Sequence, residues 1–243
     1  MELLQLRSLW SARGAWNHEL SSKAFQKISP LLARILRFLF SEKIFLCLLV
    51  ASLFSSVAML LHPHFIFLGL MLFSTTLTAL RWQGSFNGGS DNMTFLVLMI
   101  LLLVFCLPSH AALTTILLEY LAFQTSLSFF ISGLVKLRNP RWRSGIALKA
   151  ILESSIYPVP HFLRQMPKSD SVFRAVSNLL IIFELSFPLA LFHPDLALIF
   201  IFLALGFQLL NVYVLGLNRF FWAWAAAFPS VYFFSQFNPF PFH

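Results

Sequence analysis

The chain has 243 residues, 58% of them hydrophobic and only 11% charged, with a mean hydropathy of +0.80 and a formal net charge of +8. Ordinary soluble domains carry about 25% charged residues, so a water-soluble globule with a charged skin is excluded, as is a second sizeable soluble domain. An all-α integral membrane protein is expected, because lipid solvates apolar side chains and forces each backbone amide to pair within its own helix.

Residues 1–43 are mixed in character and punctuated by Gly14, Ser21-Ser22 and Pro30. Leu31, Leu32, Ile35, Leu36 and Leu39 recur at helical spacing with Arg34 and Arg37 among them. That pattern predicts an amphipathic N-terminal segment, lying in the cytoplasmic interface or leading straight into the first span. No short apolar stretch in it ends in a small-residue cleavage site, so no cleavable signal peptide is expected.

Residues 44–243 are expected to form a polytopic bundle of about seven transmembrane helices. The apolar stretches are 44–61, 65–80, 93–107, 111–135, 172–192, 196–215 and 220–235, to be compared with the roughly 20 residues that a crossing needs. His62-Pro63-His64, Leu107-Pro108-Ser109 and His193-Pro194-Asp195 separate them as proline turns, since proline lacks the N–H that a helix interior uses. Gly84 to Asp91 reads as a glycine-rich loop. Residues 137–171 are the one long connection, with a short helix predicted at Ile146–Glu153.

All 17 Lys and Arg residues fall in the N-terminal segment, the 81–92 loop, the long connection with its borders, and the turn before the last span. The alternate turns at 62–64, 108–110 and 193–195 have none. With seven spans the basic segments share one side. Basic residues resist translocation, so that side is expected to be cytoplasmic, with the N-terminus inside and the C-terminus outside. Because these charges flank spans, anionic lipid headgroups are the expected partner rather than nucleic acid.

Ionisable groups inside spans are costly and mark candidate sites. Lys136 stands at the inner end of the fourth span, Glu119 within it, and Glu184 near the middle of the fifth. A helix-end lysine can simply snorkel to the interface, and an intramembrane carboxyl can simply tie two helices together. Asp91 ends the glycine-rich loop, where it fits an N-cap of the third span. Gln124, Asn178, Gln208 and Asn211 add polar groups that commonly join helices. Cys47 and Cys106 lie in apolar runs and read as buried thiols. His62, His64, His110 and His193 fall on the outer side near Asp195, but no spacing demands a metal, and none is expected.

Around the fourth span the sequence takes on a recognisable pattern. Phe129-Phe130-Ile131-Ser132-Gly133-Leu134-Val135-Lys136-Leu137, followed by Trp142-Arg143-Ser144-Gly145, resembles the signature of the vitamin K-dependent γ-carboxylase-like family, also called HTTM (horizontally transferred transmembrane). Asn87-Gly88-Gly89-Ser90-Asp91 is similar to the glycine-rich loop of bacterial members. So are Glu184 with Phe187-Pro188, and the stretches Gly206–Asn211 and Gly216–Phe220. The resemblance covers roughly residues 65–230 and implies a bacterial cytoplasmic (inner) membrane protein with a quinone or other lipid-soluble cofactor between its helices. In the carboxylase, the lysine of Gly-x-x-Lys-Leu is deprotonated to start the chemistry, and Lys136 matches it. The resemblance thus implies Lys136 as base, Glu184 or Asp91 as its partner, and Gly133, Trp142, Gln208 and Asn211 as cofactor contacts.

The pattern also departs from the carboxylase. Gln208 stands where the carboxylase has a histidine, and the loop before the third span has no histidine. The large lumenal substrate-holding region has no counterpart in these residues, and the basic count puts Lys136 on the cytoplasmic side, opposite to the carboxylase site. Protein carboxylation itself is not expected. The alternative reading is a non-catalytic accessory or assembly subunit of a larger membrane complex. No inverted repeat or pair of broken helices suggests a transporter.

Overall fold

The computed structural model describes residues 30–82, 88–154, 159–161 and 169–237. Among these every regular element is helical. The predicted features at Gly14, Ser21-Ser22, Arg164 and Lys168 lie outside the described residues. The chain divides into two compact units, Met1–Ser109 and His110–His243.

The first unit contains α1 (Pro30–Leu39), α2 (Glu42–Leu61), α3 (Phe65–Trp82) and α4 (Gly88–Cys106). Helix α1 is the amphipathic segment, and it breaks at Phe40-Ser41 rather than running on into α2. Leu36 and Phe40 face inward onto Leu77 of α3, while Leu31 and Phe38 stay exposed. Arg81, expected in a loop, is instead buried near the end of α3. Its Nη1 donates to the Phe40 carbonyl at 3.1 Å, and its guanidinium sits 4.4 Å from the Phe45 ring centroid. It therefore satisfies a carbonyl left over where α1 ends, the kind of group every helix C-terminus exposes.

Helix α4 starts at Gly88, so the last four residues of the predicted loop are helical. Asp91 lies in the first turn and not at the cap position. A carboxylate there still opposes the positive end of the helix dipole. Cys47 and Cys106 are exposed on α2 and α4 rather than buried, because these helices turn much of their apolar surface outward.

The second unit contains α5 (Ala111–Arg138), one-turn α6 (Pro140–Arg143), α7 (Ile146–Glu153), α8 (Asp170–Ser186) continuing as a 3₁₀ segment (Phe187–Leu191), α9 (Pro194–Leu215) and α10 (Asn218–Gln236). Helix α8 tightens to 3₁₀ at Pro188, which cannot donate to the carbonyl four residues back. Helix α9 opens with the His193 ring accepting from the Asp195 N–H, and closes at Gly216 in the left-handed region (φ 70°). There Gly216 N–H donates to Val212 and Leu217 N–H to Asn211, a glycine-ended helix cap. Helix α5 packs on α8 and α10, and α10 also packs on α9.

Helices occur at all seven predicted stretches, but only five are long and apolar enough to cross a membrane: Glu42–Leu61, Gly89–Cys106, Ala111–Arg138, Asp170–Leu191 and Pro194–Leu215. Phe65–Arg81 is apolar but shorter. Helix α10 buries Ala223, Trp224, Ala227, Phe228, Ser230, Val231 and Ser235. A helix covered by its neighbours does not need an apolar surface all round. Large apolar side chains such as Phe54, Leu60, Phe202 and Trp222 are two-thirds exposed or more, far beyond what a protein surface in water tolerates. The chain has the build of an integral membrane protein.

Candidate functional site

In the second unit α5 and α8 meet at Gly133. A Cβ on this residue would stand 2.9 Å from the Leu185 nitrogen and 3.0 Å from the Glu184 Cβ. The missing side chain lets the two backbones close up, and one turn further along α5 Lys136 meets Glu184. Its Nζ donates to Glu184 Oε1 at 2.5 Å, to Oε2 at 2.6 Å and to Ser132 Oγ at 2.7 Å. An ammonium has three donors, and all three are used. The Glu184 side chain is 3% exposed and that of Lys136 17%. The ammonium also lies 5.3 Å from the Trp142 ring centroid, a favourable cation–π distance. Trp142 is held in turn, since its carbonyl accepts from Ser177 Oγ of α8.

Beside the pair is a cavity of about 190 Å³, walled by Ser128, Phe129, Ser132, Phe207, Gln208, Asn211, Leu217, Phe220 and Trp224 as well as Lys136 and Glu184. A cavity of about 150 Å³ holds one benzene ring, so the space suits a single ring or a headgroup of that size. Phe129, in its wall, belongs to a block of phenylalanines. Phe129 stacks on Phe187 at 4.2 Å and 11°, with Phe183 and Phe200 edge-on and Phe228 tilted against both. Leu217, Phe220 and Trp224, which follow the Gly216 turn, line the space as well. The Trp224 ring stacks on Phe220 at 5.3 Å.

Gln208 is 4% exposed. Its Oε1 accepts from Asn211 Nδ2 at 3.2 Å, and among the described residues no protein group accepts from its Nε2. That leaves an amide donor free to bond a group in the cavity. The arrangement is thus a charge-neutral ion pair, one available amide donor and aromatic walls: suited to a neutral group with a hydrogen-bond acceptor, and poorly suited to a second charge.

Of the residues singled out in the sequence, Lys136, Glu184, Gln208 and Asn211 converge here. Trp142 touches Lys136 from outside the cavity, and Gly133 sets the helix spacing without lining the space. Asp91 belongs to the first unit. Glu119 is half-buried on α5 and does not line the cavity. Ser132, whose signal is its place one turn before Lys136, and the aromatic residues Phe220 and Trp224 after Gly216 join the site without having stood out as site residues in the sequence. No group of three or more His, Cys, Asp or Glu that could hold a metal ion occurs among the described residues.

The close approach at Gly133 is testable. Gly133→Ala must push α5 from α8, and overpacking of this kind costs about 1–3 kcal/mol. A lowered thermal unfolding midpoint in detergent is expected. An unchanged midpoint would mean that the helices are not held this closely.

Comparison with family models, with curated proteins and with solved structures finds no match to this chain.

Proposed function

We propose that this chain is a bacterial inner-membrane protein of the γ-carboxylase-like (HTTM) kind that binds the neutral head of a lipid-soluble molecule, such as a quinone, at the Lys136–Glu184 site. The topology proposed is seven spans, with the N-terminus cytoplasmic. The observation that carries the reading is the cavity itself, where a buried ion pair and the Gln208 amide face one ring-sized space between aromatic walls. Gln208 Nε2 donates to a carbonyl or hydroxyl oxygen of the ligand, and Phe207 and Phe220 flank its ring. Lys136, held by Ser132 and Glu184, is positioned to exchange a proton with the bound group, with Glu184 keeping the charge of the pair balanced.

The test is titration of the purified protein with a short-chain benzoquinone, followed by tryptophan fluorescence, since Trp224 lines the space. Saturable quenching is expected. Gln208→Leu is expected to weaken it up to about tenfold, the worth of one hydrogen bond of about 0.5–1.5 kcal/mol. Equal, non-saturable quenching of both proteins would sink the reading.

One observation favours a second reading. The Lys136 ammonium has all three donors engaged, as a purely structural clamp would. The chain would then be an accessory or assembly subunit, and a stoichiometric protein partner in mild-detergent purification would decide for it.

A further inference from the structure

At about 1.5 Å per residue the 28 residues of α5 extend some 42 Å, against about 30 Å of hydrocarbon in a bilayer. One end of α5 must therefore reach the headgroup layer. The C-terminal end carries the charges. Arg138 closes α5, and Arg141 and Arg143 follow on α6 around the Asn139-Pro140 corner, all three exposed.

This corner is fixed in place. The Asn139 side chain accepts from the Arg141 N–H at 3.0 Å, Ser177 Oγ donates to the Trp142 carbonyl, and Gly145 is pressed against the backbone of Phe173 and Arg174. Yet its guanidinium groups have no counter-charge. Among the described residues none of the three makes a side-chain hydrogen bond or ion pair. The whole connection 137–171 contains only two acids, Glu153 and Asp170. Asp170 is bound to Lys149 at 2.7 Å, and Glu153 also acts on Lys149. That hydrogen bond to Asp170 holds Lys149 above the usual lysine range. Close to the three arginines in sequence, Val135, Leu137 and Ile146 are exposed apolar residues.

Uncompensated guanidiniums beside bare aliphatic side chains at a span end match one chemistry, a phosphodiester with hydrocarbon attached. We propose that Arg138, Arg141 and Arg143 form a binding site for the headgroup of an anionic phospholipid, whose acyl chains lie against Val135, Leu137 and Ile146. Guanidinium suits phosphate because its planar fork donates in pairs. The apolar neighbours assign the phosphate to a lipid rather than to a free ion. The site is independent of any ligand at Lys136.

The experiment is native mass spectrometry of the purified full chain with added phosphatidylglycerol or phosphatidylcholine of the same acyl chains. Phosphatidylglycerol is expected to be retained at least about tenfold more strongly, given three basic residues at an anionic surface. The R138Q/R141Q/R143Q variant is expected to lose that preference, and R34Q/R37Q, which removes similar charges from α1, to keep it. Equal retention of the two lipids by the unaltered protein would overturn the proposal whether or not the triple variant folds. So would a preference lost from R34Q/R37Q instead. Inorganic phosphate alone raising the melting temperature as much as phosphatidylglycerol would replace the lipid by a free anion.

Discussion

Glu184→Ala is expected to destabilise the protein by about 3 kcal/mol, the lower end of the range of about 3–5 kcal/mol for breaking a buried ion pair from one side. The cost arises because Lys136 keeps its charge while losing two of its three acceptors. It falls at the lower end because the Lys136 side chain retains 17% exposure, and so has a way to turn its ammonium toward the interface. The decisive comparison is the double variant Lys136→Met with Glu184→Leu. Two apolar side chains of similar volume need no charge compensation, so most of the lost stability returns. Thermal unfolding in detergent measures both. A double variant no more stable than Glu184→Ala would mean that the pair does not act as a unit. The double variant also separates fold from function: it is expected to be stable and yet unable to exchange a proton with a bound quinone, which a partly unfolded single variant cannot demonstrate.

Gly145→Ala carries the second large effect. Gly145 sits at φ +82°, where L side chains are strained, and its added Cβ would lie 2.5 Å from both the Phe173 carbonyl carbon and the Arg174 nitrogen. These are backbone atoms of α8 and cannot rotate away. A strained left-handed residue costs about 1–3 kcal/mol, and overpacking about as much again. A loss of about 2–6 kcal/mol is expected, with faster tryptic cleavage in the arginine-rich connection. Gly206→Ala is the control. It lies within α9 with nothing within 4 Å of the new Cβ, and is expected to be neutral or stabilising by up to about 1 kcal/mol. Equal unfolding midpoints for the two variants would refute the assigned close contact.

The contrast between these glycines shows where sequence reading stops. Gly145 and Gly206 both stand in stretches singled out in the sequence, and nothing in either stretch says which glycine is pressed against another helix. That depends on packing across the 35 positions between Trp142 and Ser177. The helices themselves were legible, because proline turns and apolar runs are local signals: α2, α5 and α9 begin within two residues of the predicted starts. The glycine-rich loop was read too long, since glycine weakens a helix without forbidding its first turn, and Asp91 favours helix just there. Lys136 and Glu184 were visible singly, as charges in apolar surroundings. Their pairing across 48 residues, and the aromatic lining that the chain after Gly216 brings to the same space, come from three-dimensional closure. Arg81 was misplaced for a related reason: a basic residue near a loop looks solvated until a distant carbonyl, here that of Phe40, claims it.

The saturation of Lys136 by Glu184 also has an electrical meaning. A single elementary charge moved through a membrane potential gains or loses about 2.3 kcal/mol per 100 mV. The ammonium and the carboxylate lie 2.5 Å apart and are counter-charges of one another, so together they present almost no net charge to that field. The pair therefore adds almost nothing to the voltage dependence of a tilt or slide of α5 with α8, or of the entry of a neutral guest. Only an event that carries a proton away from the pair, or brings one in, would do electrical work. A voltage-dependent signal that is lost in the Lys136→Met with Glu184→Leu variant would therefore report proton movement at the pair and not the mere occupancy of the cavity beside it.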